Sequence, residues 1–193
     1  PAADVPQPLW AESFVPMRLA TALRSARGPD GRAVVVDEQP LLPHRLEPEP
    51  DDAPRRWPLW AIAGTALGAA AAWLGRRRPR IVAALALPFW VACGVLGALM
   101  LFLWFGTEHR FAWANHNLWL ASPLAWALLP GGWRIARGRR AGRVFAVVLG
   151  AVAALALLGM FAHWLPVLPQ RNAHWIAVLV PMHAGLWLGL RRR

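Results

Sequence analysis

The chain has 193 residues, 57% of them hydrophobic, with 13 Trp, no Tyr and one Cys. The apolar residues fall in long unbroken runs, which excludes an ordinary soluble domain, and one Cys excludes a disulfide-built scaffold. The formal net charge of +11 is carried by Arg alone and lies almost wholly beyond residue 56, in clusters between apolar runs, so it marks membrane topology and excludes nucleic acid, which needs a continuous basic track.

Residues 1–38 come first. Pro16, with Ser13 nearby, suits a helix start, and Met17, Leu19, Ala22 and Leu23 keep helical spacing up to Gly28. Asp30 and Gly31 predict a turn, and the β-branched run at 33–37 predicts one strand. One helix and one strand cannot bury a core, so this piece reads as the C-terminal remnant of a larger extramembrane domain. The sequence opens at Pro1 without a signal-peptide pattern, which reads as a fragment or a processed product. Residues 39–56 follow, with Pro40, Pro43, Pro48, Pro50 and Pro54 among acids, a stiff extended linker.

Residues 57–193 hold five apolar segments, at about 57–75, 81–105, 118–133, 144–165 and 173–190. Most reach the roughly 20 residues that a spanning helix needs, so the fold class is an all-α membrane protein with a five-helix transmembrane bundle. The third segment is the shortest and its ends are the least defined. Twelve Arg lie on one side: Arg76, Arg77, Arg78 and Arg80, then Arg134, Arg137, Arg139, Arg140 and Arg143, then Arg191, Arg192 and Arg193. The opposite loops hold only Arg110 and Arg171. That bias predicts a multi-pass membrane protein with the N-terminal segment outside the cytoplasm and the C-terminus inside. Arg55 and Arg56 run mildly against the rule, whereas Trp57, Trp60, Trp104, Trp113, Trp119, Trp164 and Trp175 near outer ends and Trp73, Trp133 and Trp187 near inner ends agree with it. Trp90 and Trp126 lie deeper and read as packing residues.

Chemistry-bearing residues gather on the outer side, where the loop after the second segment holds Thr107, Glu108, His109, Arg110, Asn115, His116 and Asn117. His163 and His174 would lie at similar depth, so Glu108 and the outer histidines can converge on one face. A carboxylate with histidines invites a metal, but no His-x-x-x-His pair is present, and only His183 is deep enough for a haem ligand; neither a metal nor a cofactor is expected. Donors and a few charges at headgroup depth suit a lipid headgroup or a lipidated substrate, which makes Thr107, Glu108, His109, Arg110, Asn115 and Asn117 the candidate substrate-binding residues. The competing reading is a polar cap for helix ends. His183, an ionisable residue within a span, is a functional candidate by default, yet a neutral His can also satisfy a carbonyl freed by Pro181. Cys93, in mid-span, has too little thiolate to act as a nucleophile. Gly64-x-x-x-Gly68 and Gly185-x-x-x-Gly189 permit close helix contact.

The run Phe14, Val15, Pro16, Met17, Arg18, Leu19, the proline-rich linker, the stretch from Leu103 to His109, the stretch from Asn115 to Leu118, and Pro123 together resemble the C-terminal part of the Lnb-type lipoprotein N-acyltransferase family. The resemblance covers roughly residues 9–190. It implies a periplasmic papain-like domain joined to a five-helix membrane domain, in bacteria with two membranes. It also implies that the nucleophile lies in the periplasmic domain, upstream of Pro1, so no catalytic residue is carried onto this chain; Thr107, Glu108, His109, Asn115 and Asn117 match the polar segment on the periplasmic side. The resulting expectation is an inner-membrane module of an Lnb-like envelope acyltransferase, anchoring its own upstream periplasmic domain and shaping an access site for phospholipid and lipoprotein. The alternative is a non-enzymatic membrane scaffold that binds protein partners through its outer loops.

Overall fold

A computed structural model describes residues 16–39, 56–108, 112–165 and 170–193. Two compact units divide the chain, residues 6–54 and, with the first five residues, residues 55–193.

In the smaller unit, α1 (Pro16–Ser25) forms where the helical spacing predicts it. The turn at Asp30 and Gly31 also forms: Gly31 takes a φ of +75°, Asp30 Oδ1 accepts from the Arg32 backbone N–H at 3.1 Å, and the Gly28 N–H donates to the Arg32 carbonyl at 2.8 Å. The run at 33–37 does not become a strand. A single antiparallel bridge joins Arg27 to Ala33 and the ladder stops there, because no second strand among the described residues offers Val34 to Val36 a partner. Arg24 Nε donates to Glu38 Oε2 at 2.7 Å, and this hydrogen bond holds the Glu38 carboxyl below its ordinary range. The linker lies outside the described residues apart from Gln39 and Arg56.

The larger unit is an antiparallel succession of passes. Helices α2 (Trp57–Arg77) and α3 (Pro79–Phe105) are unbroken, with Pro58 and Pro79 in their first turns, where the missing N–H costs nothing. The third pass is divided into α4 (Asn117–Leu120), a 3-10 helix (Pro123–Leu128) and α5 (Leu129–Ala136). Helices α6 (Arg143–His163) and α7 (Ala173–Leu190) complete the unit. Four helices, α2, α3, α6 and α7, are long and apolar enough to cross a membrane; the protein is a multi-pass membrane protein.

The single helix predicted at 118–133 is therefore corrected to three pieces. Pro123 forces the residue before it out of the helical region, and Ser122 is extended at φ −87° and ψ 140° with its Oγ accepting from the Leu124 N–H at 3.3 Å. Pro130 then opens α5 in its first turn. The broken pass nevertheless runs the length of the bundle. Its start meets Gly159 of α6, its middle lies on Gly94 and Gly97 of α3, and its end brings Gly131 to Phe145, near the start of α6.

Small residues set the packing. Helices α2 and α7 run parallel and form the most extensive helix pair, with Gly64 against Ala177, Gly68 against Pro181 and Gly185, and Gly75 against Gly189. A Cβ at Gly75 would lie 2.8 Å from the Gly189 Cα, so the backbones are in contact. Hydrocarbon gives helices no hydrophobic drive to associate, so this close approach supplies the attraction. Ala83, Ala86, Ala125 and Ala156 line the interior of the other passes, while Leu59, Ile62, Leu85, Val147 and Phe161 project outward, as a lipid-facing perimeter requires.

Replacing Gly185 by Leu is expected to force α7 from α2 and lower the unfolding midpoint in detergent, by an overpacking cost of about 1–3 kcal/mol. Gly150→Ala is the control. Its Cβ would meet Trp187 Nε1 at an ordinary 3.4 Å, and the midpoint should stay put.

Candidate functional site

At the end of the bundle opposite the arginines, two short connections meet. The loop before α4 supplies Asn115, His116 and Asn117; the segment before α7 supplies Gln170 and Asn172. Gln170 Nε2 donates to Asn115 Oδ1 at 2.9 Å while its Oε1 accepts from the His116 backbone N–H at 2.8 Å. Asn115 Oδ1 also takes the Asn117 N–H at 3.0 Å. Asn172 Nδ2 donates to Asn117 Oδ1 at 2.9 Å, and Asn172 Oδ1 pairs with His163 Nδ1 at 2.8 Å. Since that amide oxygen can only accept, His163 carries its proton on Nδ1. Gln170 is 5% exposed and Asn172 2%, whereas Asn115, His116, Asn117 and His163 are half-buried, so the network is sealed from water on the α7 side and only partly on the other.

The loop closes by local means. Thr107 Oγ1 donates to the Leu103 carbonyl at 2.8 Å, bonding back onto the last turn of α3, and Trp113 Nε1 donates to the Thr107 carbonyl at 3.1 Å. Ala114 sits at φ 52°, an unusual conformation for a residue with a Cβ, where the chain reverses towards Asn115.

Beside the network is a cavity of about 480 Å³ between α3, the third pass and α6. Leu101, Trp104, Leu118, Trp119 and Leu155 form its apolar wall, with Asn115, His116 and Ser122 as its polar groups. Both its size and its mostly apolar lining fit a small-ligand site, for which roughly 300–1,000 Å³ is usual.

The candidate residues thus separate. Asn115 and Asn117 are brought together in the network, and Asn115 also reaches the cavity. Thr107, just past α3, bonds back onto the last turn of that helix, and Glu108 is exposed with no hydrogen-bond partner among the described residues. His109 and Arg110 lie outside the described residues. Among the outer histidines, His116 and His163 join the network, whereas His174 is exposed and tilted against Trp175. Among the described residues no group of three His, Cys, Asp or Glu side chains is close enough to hold a metal.

Gln170 and Asn172 do not stand out in the sequence. Neutral amides ahead of an apolar helix read as a loop, and Asn172 occupies the residue before α7 where a side-chain cap is usual; here its side chain makes no cap bond and reaches across to Asn117 and His163. His183, 2% exposed, presents Nε2 to the Leu120 carbonyl at 2.8 Å and packs on Phe89. It does satisfy a backbone carbonyl, but one belonging to the break after α4, not one freed by Pro181 in its own helix.

A family model described as the Lnb transmembrane domain matches residues 59–188. No curated protein and no solved structure matches the chain.

Asn172→Leu removes the shared partner of the half-buried His163 and Asn117, at an expected cost of about 0.5–1.5 kcal/mol for each bond lost. Adding His163→Ala to Asn172→Leu should cost less than the sum of the single changes, because the two residues share a bond. Unfolding midpoints of the three variants in detergent check this.

Proposed function

Because this chain belongs to the Lnb transmembrane-domain family, we propose that it is the membrane module of an envelope acyltransferase, anchoring a periplasmic catalytic domain and holding a lipid acyl chain beside it. The observation that carries this reading is the apolar cavity with Asn115 and His116 among its polar groups, at the end of the bundle that is poor in arginine. The positive-inside bias supports a periplasmic orientation for that end and a cytoplasmic one for the arginine-rich end, in the inner membrane. On this reading the broken third pass is a fifth crossing, since it reaches from one end of the bundle to the other.

The chemistry assigned to this chain is positional. Acyl transfer proceeds in the catalytic domain by nucleophilic attack on the donor's ester, which releases the lysophospholipid and leaves an acyl-enzyme; the lipoprotein amine then attacks that acyl-enzyme, forming the amide and freeing the nucleophile. Donor phospholipid and acceptor lipoprotein are both confined to the bilayer. Holding the donor's chain in the cavity between α3 and α6 keeps its ester at headgroup depth, below the catalytic domain, and converts a two-body encounter into a positioned one. Asn115 and His116 are suited to a headgroup or ester oxygen; Thr107, Glu108, His109, Arg110 and Asn117 stay candidates by sequence for contacts with the catalytic domain or the lipoprotein.

A second reading draws on the hydrogen bonds themselves. Asn115 and Asn117 spend side-chain capacity on Gln170 and Asn172, which favours a structural cap on a passive anchor or scaffold.

Cavity filling separates the two. In the full-length protein, Leu155→Trp should lower lipoprotein N-acylation by about tenfold or more while membrane abundance stays unchanged, and Glu108→Ala should lower it less. Unchanged acylation with a filled cavity would leave the scaffold reading standing.

A further inference from the structure

At the arginine-rich end, a second cavity of about 600 Å³ lies between the start of α3, the turn joining α5 to α6, and the end of α7. Arg80, Arg139, Arg140, Arg192 and Arg193 line it. From this arrangement we infer that the cavity binds the phosphate group of an anionic ligand.

Two helices begin at this cavity. Pro79 and Arg80 are the first residues of the 27-residue α3, and Gly142 is the residue before the 21-residue α6; all three line the space. Neither helix start has a side-chain cap, and neither has an acid in its first turn. A helix start carries a partial positive charge and unpaired N–H groups that favour an anion. Here the side chains worsen the imbalance. Arg80 and Arg143 stand in the first turns of α3 and α6, the end of a helix where a cation is unfavourable.

Three other arginines at this end lie on tryptophan rings. Arg77 lies over Trp73 at 4.6 Å, Arg137 over Trp133 at 4.5 Å and Arg191 over Trp187 at 4.4 Å, each where a helix ends and a cation is favoured. The cavity arginines have no such partner. Within residues 57–193 the one acidic side chain is Glu108, past the far end of α3, and among the described residues no ion pair involves any of the five. The turn is also shaped to converge them. Gly138 takes a φ of +77°, and the Arg80 guanidinium lies on its backbone where a Cβ would come within 2.5 Å of Nη2. Arg134 Nε ties down the Arg140 carbonyl at 2.9 Å, and Arg193 is held to the Arg76 carbonyl at 2.7 Å. A tetrahedral phosphate is the anion that several guanidinium forks and two helix starts bind together.

The phosphate belongs either to an anionic lipid headgroup or to a soluble phosphate compound. The test is native mass spectrometry of the chain in neutral detergent, titrated with phosphatidylglycerol, with zwitterionic phosphatidylcholine and with inorganic phosphate. The expected result is saturable retention of phosphatidylglycerol over phosphatidylcholine, weakened about tenfold or more by the double change Arg80→Gln with Arg139→Gln, since charge-assisted bonds are lost. Arg77→Gln with Arg191→Gln removes the same charge from the Trp-stacked arginines and should leave the affinity unchanged. Displacement of the lipid by millimolar phosphate assigns the site to soluble phosphates; retention assigns it to the headgroup. Equal weakening in both double variants, or no preference for phosphatidylglycerol and no binding of phosphate, would overturn the inference. Unfolding midpoints measured alongside identify any variant that has lost its fold, and Arg80→Lys, which keeps the charge, should then retain part of the binding.

Discussion

The hydrogen bond between His183 and the Leu120 carbonyl is the constraint on which the bundle turns. A membrane interior tolerates broken helical backbone only where protein satisfies the freed polar groups. Ser122 and Pro123 end α4 after one turn, and the Leu120 carbonyl is left facing inward. His183 meets it from α7, two passes further along the chain, while Phe89 of α3 backs the imidazole. One buried side chain therefore joins α7 to the broken pass, and α3 fixes how the ring lies. The break in turn is what lets the third pass change direction and leave room for the cavity beside Trp104 and Trp119.

The two halves of the bundle are held by different means. Helices α2 and α7 meet backbone to backbone through Gly64, Gly68, Gly75, Gly185 and Gly189, with the Ala177 carbonyl lying against Gly64. Proline 181 removes the N–H that this carbonyl would have received within α7, and its approach to Gly64 brings it to a Cα–H group in compensation. On the other side, large side chains do the packing: Trp90 is fully buried edge-on to Phe145 and lies against Gly132, and Trp126 is laid on Gly94 with its indole N–H donating to the Val91 carbonyl at 3.3 Å. The amide network then closes one end, joining the residues at the start of α4 to those just ahead of α7.

What the residues disclose in advance follows how long a signal is. Unbroken apolar runs announce α2, α3, α6 and α7 to within a few residues, because twenty apolar residues in sequence have few other fates. The arginine clusters likewise fall together at one end. The third run misleads: its composition is that of a span, but Pro123, Pro130 and the pair Gly131 and Gly132 decide its local path. Asn115 and Asn117 are visible as polar residues in an apolar setting, yet their partners Gln170 and Asn172 lie about 55 residues further on, and only the folded bundle brings the two segments together. The small unit shows the same limit, for Val34 to Val36 have a strand's side chains without a neighbour to pair with.

The Trp–Arg stacks have a consequence for the lipid around the protein. Trp73 and Trp187, each pinned by an arginine one turn on, mark the depth of one interface on α2 and α7, and Trp57 and Trp175 lie at the start of the same helices. At 1.5 Å per residue those ring pairs are only about 24 Å and 18 Å apart, against a hydrocarbon core of about 30 Å. Helix α3, with 27 residues, is by contrast about 40 Å long. The helix lengths offered to lipid therefore differ around the perimeter, and tilt is the ordinary way in which a helix as long as α3 fits the same bilayer.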